Sequence, residues 1–191
     1  VFAFIIFSIT ASSIYIINDY FDIESDKKHP EKKNRPLASG AISKTSAKVL
    51  FGFLVALSIG LIFLGSYIFE TNYWKFGIII AAYFVMNIFY TFKLKHVAIV
   101  DICIIASGFV LRILAGGYAA DIQTTQWAIL LTFVLALVLA IGKRRGELIN
   151  AQISGKTRKS LDGYSVQFAD IALSISVTLA IICYLMFILS P

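Results

Sequence analysis

The densest set of oxygen donors in the chain is the run Asn18-Asp19-Tyr20-Phe21-Asp22-Ile23-Glu24-Ser25-Asp26. On a helix turning about 100° per residue, Asn18, Asp22 and Asp26 stack at i, i+4 and i+8, with Asp19 beside them. Glu24 falls on another face. Like charges at this spacing repel, so the arrangement calls for a cation. Hard oxygen ligands suit Mg²⁺, which is commonly held by one or two carboxylates together with substrate phosphates. A basic run follows: Lys27, Lys28, Lys32, Lys33 and Arg35, leading into Arg35-Pro36-Leu37-Ala38-Ser39-Gly40. Acids that hold a metal, followed by cations that hold oxygens, suit a metal–diphosphate complex. Lys28 and Arg35 are the candidates for phosphate contact, whereas Lys32 reads as a topological charge.

Two further constellations carry charge. Tyr90, Lys93, Lys95 and His96 precede Asp101, and Arg112 lies eleven residues after it. Eleven helical steps return to within about 20° of the same face, some 16 Å along the axis. An arginine that deep is too costly to face lipid. Arg112 is therefore expected to face a polar cavity onto which Asp101 also opens. His96 by itself is weak evidence and reads as interfacial. The third constellation is Lys143-Arg144-Arg145-Gly146-Glu147, in which Lys143 and Glu147 form an i,i+4 pair and Asn150 continues the face; Arg158, Lys159 and Tyr164 come later. Arg145 and Lys156 read as plain membrane-surface anchors. Cations presented by three separate loops point to a polyanionic ligand.

The elements that must position these groups are long and apolar. Of 191 residues, 59% are apolar and 15% charged, and the mean hydropathy is +0.83. Soluble domains carry roughly a quarter charged residues. Six apolar segments stand out, at 1–21, 47–69, 74–92, 98–119, 126–142 and 166–189. Their length, about 20 residues, crosses a bilayer as a helix. The absence of period-2 alternation excludes barrel strands. Of seventeen Lys and Arg, all but Lys75 and Arg112 lie in or beside the first, third and fifth loops (22–46, 93–97 and 143–165). Positive loops stay in the cytoplasm, so these three are expected inside. The loops near 70–73 and 120–125, with Glu70 and Asp121, are expected outside. Topology thus accounts for most of the net charge of +6, and no nucleic-acid partner is implied. Cys103 and Cys183 lie inside apolar segments and read as small core residues. The chain reads as a single transmembrane catalytic domain, 1–191, cut from a longer protein at both ends.

The first constellation and the downstream Arg35-Pro36-Leu37-x-Ser39-Gly40 resemble the first Asp-rich motif of the UbiA-type intramembrane prenyltransferases. The similarity covers the whole chain, which would correspond to the second through seventh of nine helices. It implies an all-α polytopic bundle around a central cavity open to the cytoplasmic side, with two Asp motifs on loops. The family's second motif is usually DxxxD, but here Asp101 is followed at +4 by Ile105. The stretch from Leu94-Lys95-His96 through Asp101, Ser107-Gly108-Phe109 and Arg112 to Ala115-Gly116-Gly117 is more similar to the decaprenyl-phosphate phosphoribosyltransferase branch. So are Lys143-Arg144-x-x-Glu147-Leu148 and Arg158-Lys159-Ser160-Leu161.

The resemblance implies transfer of a phosphoribosyl group from phosphoribosyl diphosphate to a polyprenyl phosphate, making a lipid-linked pentose donor for cell-envelope polysaccharide. Mg²⁺ would be held by Asn18, Asp19, Asp22, Asp26 and Asp101, with Asp19, Asp22 and Asp101 as the catalytic acids. Lys28, Arg35, Tyr90, Lys93, Lys95, Arg112, Lys143, Arg144, Glu147 and Arg158 would bind substrate. The expected location is the plasma (inner) membrane, and a homo-oligomer is left open. A sibling reading keeps the site but joins a prenyl diphosphate to an aromatic acceptor. A third makes the acids an ion pathway; that reading places ionisable groups near the bilayer midplane, whereas almost all of these lie at one surface.

Overall fold

The computed structural model describes residues 1–69, 73–154, 161 and 163–189. Glu70, Lys156, Arg158, Lys159 and Ser160 lie outside them. Each of the six apolar segments is an α-helix: α1 (Phe2–Asp26), α2 (Lys44–Ile68), α3 (Tyr73–Phe92), α4 (Val100–Ala120), α5 (Gln126–Ser154) and α6 (Val166–Leu189). All six are long and apolar enough to cross a membrane, and no strand occurs among the described residues. Large apolar side chains such as Phe53, Phe63, Leu139 and Ile181 lie exposed on their outer faces. That is the surface a polytopic protein offers to lipid.

The helix starts follow from local chemistry. Ser43, Thr125 and Ser165 each accept a backbone N–H from the first turn of α2, α5 and α6 (Ser46, Ala128 and Phe168, at 3.0, 3.2 and 3.0 Å). These bonds satisfy donors that a helix start leaves without partners. Two helices outrun their apolar segments. α1 continues through Asp26, so the whole acidic run is helical, and α5 continues to Ser154. The expected fifth loop is therefore helical over its first part, and Lys143 through Asn150 ride on a rigid extension of α5.

The chain divides into two compact units, Val1–Phe92 with Tyr118–Asp121, and Lys93–Gly117 with Ile122–Pro191. In the first, α1 packs on both α2 and α3. Thr10 of α1 and Ser58 of α2 share a buried hydroxyl–hydroxyl bond of 2.6 Å, and the Ser13 hydroxyl donates to the Thr10 carbonyl. Such bonds let polar groups sit within an apolar span. In the second, α5 packs along α6. Ile102 of α4 joins Ala140, Ile141 and Ala169 in a core that Ile105, Leu148 and Tyr164 flank.

Candidate functional site

In the first unit the acidic run keeps the face expected of it. Asp26 is 3% exposed, and Asn18, Asp19 and Asp22 are half-buried, while Glu24 lies outside with Lys27. The chain then turns back. His29 Nδ1 accepts the backbone N–H groups of Glu31 and Lys32, starting a short 3₁₀ turn, Lys32–Asn34. Arg35, extended as a residue before proline must be, closes it with its N–H on the Lys32 carbonyl, 2.9 Å. Gly40, at φ +81, supplies the left-handed step that carries the chain towards α2.

This path delivers Arg35 to the acids. One guanidinium nitrogen, Nη1, donates to Asp19 Oδ1 at 2.8 Å and to Asp26 Oδ2 at 2.9 Å. Lys32 Nζ lies 4.0 Å from the other Asp26 oxygen, so Lys32 does more than mark topology. Two carboxylates converging on a single cationic nitrogen are an all-oxygen donor pair of the kind that, with substrate phosphates, holds Mg²⁺. The donor chemistry fits the ion. No group of three or more His, Cys, Asp or Glu among the described residues is arranged to hold a metal by itself. Lys28 is exposed and Tyr90 half-buried.

In the second unit Asp101 is 1% exposed. Arg144 places Nε and Nη2 on its Oδ2, both at 2.8 Å, and the Tyr164 hydroxyl donates to its Oδ1 at 2.5 Å. Arg144 Nη1 also donates to Glu147 at 2.7 Å. Both oxygens of Asp101 are thus engaged inside the protein. The residue expected to open onto a cavity and to ligate a metal holds Arg144 and Tyr164 here. Burial, reinforced by the bond to Asp101, pushes the Tyr164 hydroxyl well above the usual tyrosine value near 10. It stays protonated and remains a donor.

Two expectations change here. Glu147 was paired with Lys143, but Arg144, one residue on, holds it while Lys143 is exposed. Arg145 pairs with Asp170 of α6 and is more than a surface anchor. Arg112, whose expected place is a polar cavity, is exposed three turns along α4, its guanidinium carbon 5.4 Å from the Phe109 ring centroid. Ile105, where the second acid of a DxxxD motif would stand, packs against the unit's apolar core. The side chain there is half-buried. Lys93 is exposed and Lys95 half-buried in and beside the 3₁₀ turn Leu94–His96 that precedes α4.

The family model of the UbiA prenyltransferase family matches residues 1–190. The chain belongs to that family. Among curated proteins it is 40% identical to the decaprenyl-phosphate phosphoribosyltransferase of Mycolicibacterium smegmatis, over 95% of this chain and 55% of the relative. It is 37% identical to that of Corynebacterium glutamicum, over 95% and 54%, and 34% identical to that of Mycobacterium tuberculosis, over 95% and 58%. The chain spans little more than half the length of these curated relatives. As a UbiA-family chain it is a multi-pass membrane protein whose acidic run is followed closely by a turn that returns an arginine to it.

Tyr164 was noted in the sequence only as a loop residue. Nothing in composition or helical spacing marks it, because its partners stand 63 and 65 residues away.

Proposed function

We propose that this protein moves the 5-phosphoribosyl group of phosphoribosyl diphosphate onto a polyprenyl phosphate of the decaprenyl type, releasing diphosphate. The observation that carries the reading is similarity along 95% of the chain to three proteins of that activity. The geometry agrees with it: the position of a second motif acid is a half-buried isoleucine that flanks the apolar core, and the polar cluster of the second unit is built around an arginine. A prenyl diphosphate has a single polar head, which a second acid–metal set suits. Phosphoribosyl diphosphate is anionic at both ends and needs cations spread more widely.

Asn18, Asp19, Asp22 and Asp26 would hold Mg²⁺, which when bound neutralises charge on the departing diphosphate. Arg35 would exchange its bonds to Asp19 and Asp26 for phosphate oxygens. Lys28, Tyr90, Lys93, Lys95, Arg112, Lys143, Arg144 with Glu147, and Arg158 would share the sugar 5-phosphate, the diphosphate and the lipid phosphate among them. A lipid phosphate oxygen attacks C1 of the ribose, and the electron pair of the C1–O bond leaves with the diphosphate. Oxocarbenium character at C1 would be stabilised by Asp19 and Asp22, as carboxylates do in glycosyl transfer. The nucleophile is already an anion, so no strong general base is required. The basic loops would place this chemistry on the cytoplasmic face of the plasma membrane.

The test is to incubate membranes containing the protein with labelled phosphoribosyl diphosphate and polyprenyl phosphate. A labelled lipid is expected. An aromatic product from prenyl diphosphate and 4-hydroxybenzoate, with no labelled lipid, would replace this reading with the prenyltransferase one.

A further inference from the structure

Tyr164 stands two residues before α6, and the functional reading above gives it no role. Its ring packs on the apolar core of the second unit. Its hydroxyl accepts the Ile99 backbone N–H at 2.7 Å and donates to Asp101 Oδ1 at 2.5 Å. Ile99 is unusual: at φ +68 it adopts the left-handed conformation, which a β-branched residue holds only when its surroundings fix it. It lies just beyond the turn that carries Lys93 and Lys95. Facing it, Gly163 sits at φ +91, so close that an added Cβ would lie 3.0 Å from the Cβ of Ala98. Two left-handed turns are therefore pressed together at Ala98 and Gly163 and tied by one hydroxyl.

We infer that Tyr164 is a positioning residue for recognition of the phosphorylated donor: its hydroxyl fixes the cation-bearing turn Leu94–His96 to the Asp101–Arg144–Glu147 network. The inference rests on the functional reading above and names a residue that this reading leaves unused. Cations held in place before the anion arrives lose less freedom on binding than mobile ones. Removing the hydroxyl changes no charge. It leaves the Ile99 N–H and Asp101 Oδ1 without their shared partner, and it frees a strained turn to move. Affinity for the donor then falls, while the bond-breaking step, which the network need not touch, is preserved.

The experiment measures kcat and KM for phosphoribosyl diphosphate, and inhibition by inorganic diphosphate, with the full chain in membrane vesicles. Tyr164→Phe should raise KM on the order of tenfold and weaken diphosphate inhibition in parallel, with kcat within about twofold. Gly163→Ala, which keeps the hydroxyl but forces the two turns apart, should do the same, and it carries the test if Tyr164→Phe does not accumulate. A lowered melting temperature with KM unchanged would make Tyr164 merely structural and overturn the inference. So would a collapse of kcat at unchanged KM. If the unsubstituted protein transfers nothing from phosphoribosyl diphosphate, the functional reading itself falls; if it transfers and KM ignores both substitutions, only the positioning role does.

Discussion

Arg35 and a metal ion would compete for the same oxygens, and that competition can be measured without any substrate. Arg35→Met removes the nitrogen that Asp19 and Asp26 share. Breaking a fully buried ion pair by deleting one partner costs roughly 3–5 kcal/mol. The side chains of Arg35 and Asp19 are 36% and 28% exposed, and Lys32 remains 4.0 Å from Asp26, so solvent and a second cation soften the loss. A destabilisation of about 2 kcal/mol is expected without metal. For a chain of this size that is a fall of roughly 4–8 °C in melting temperature. Added Mg²⁺ should then stabilise the variant more than the unsubstituted protein. Binding at a hundredfold excess over Kd contributes about 2.7 kcal/mol, and in the unsubstituted protein part of this is spent displacing Arg35. Thermal unfolding of both proteins in detergent, with Mg²⁺ titrated and then chelated, reads the difference. Equal shifts in the two proteins, or no shift in either, would refute the idea that Arg35 occupies the metal's place. Arg35→Met/Asp26→Asn should recover part of the stability and lose the Mg²⁺ response.

Asp19→Ala and Asp22→Ala should each abolish transfer while the helices remain folded by circular dichroism; full activity in either, or activity in excess chelator, would remove Mg²⁺ from the scheme. Arg112→Lys should lower kcat/KM by about tenfold, a loss near 1.4 kcal/mol, because lysine lacks the planar fork that makes paired bonds to a phosphate; wild-type kinetics would remove Arg112 from substrate binding. A cysteine at Ser39 should react with an impermeant reagent from the cytoplasm and one at Ile122 from the opposite side, and the reverse pattern would invert the placement of the active site.

The sequence by itself determined the six helices and the face on which Asn18, Asp19, Asp22 and Asp26 gather. Both are local consequences: an apolar run of spanning length has one way to satisfy its backbone in lipid, and helical spacing fixes which side chains align. It also marked Ile105 as the departure that separates this chain from a two-motif site. What only the tertiary structure decided is which charges meet. Arg35 reaches Asp19 and Asp26 because a 3₁₀ turn started by His29 folds the chain back over 16 and 9 residues. Helical spacing would let Lys143 and Arg144 compete for Glu147; Arg144 wins because the same side chain must also reach buried Asp101, 43 residues earlier. Asp101 became an anchor, and Tyr164 the tie between two turns, through left-handed steps at Ile99 and Gly163. Hydropathy and periodicity do not encode such steps. The pairing of charges across loops follows the path of the backbone, and that path is fixed only when the helices have packed.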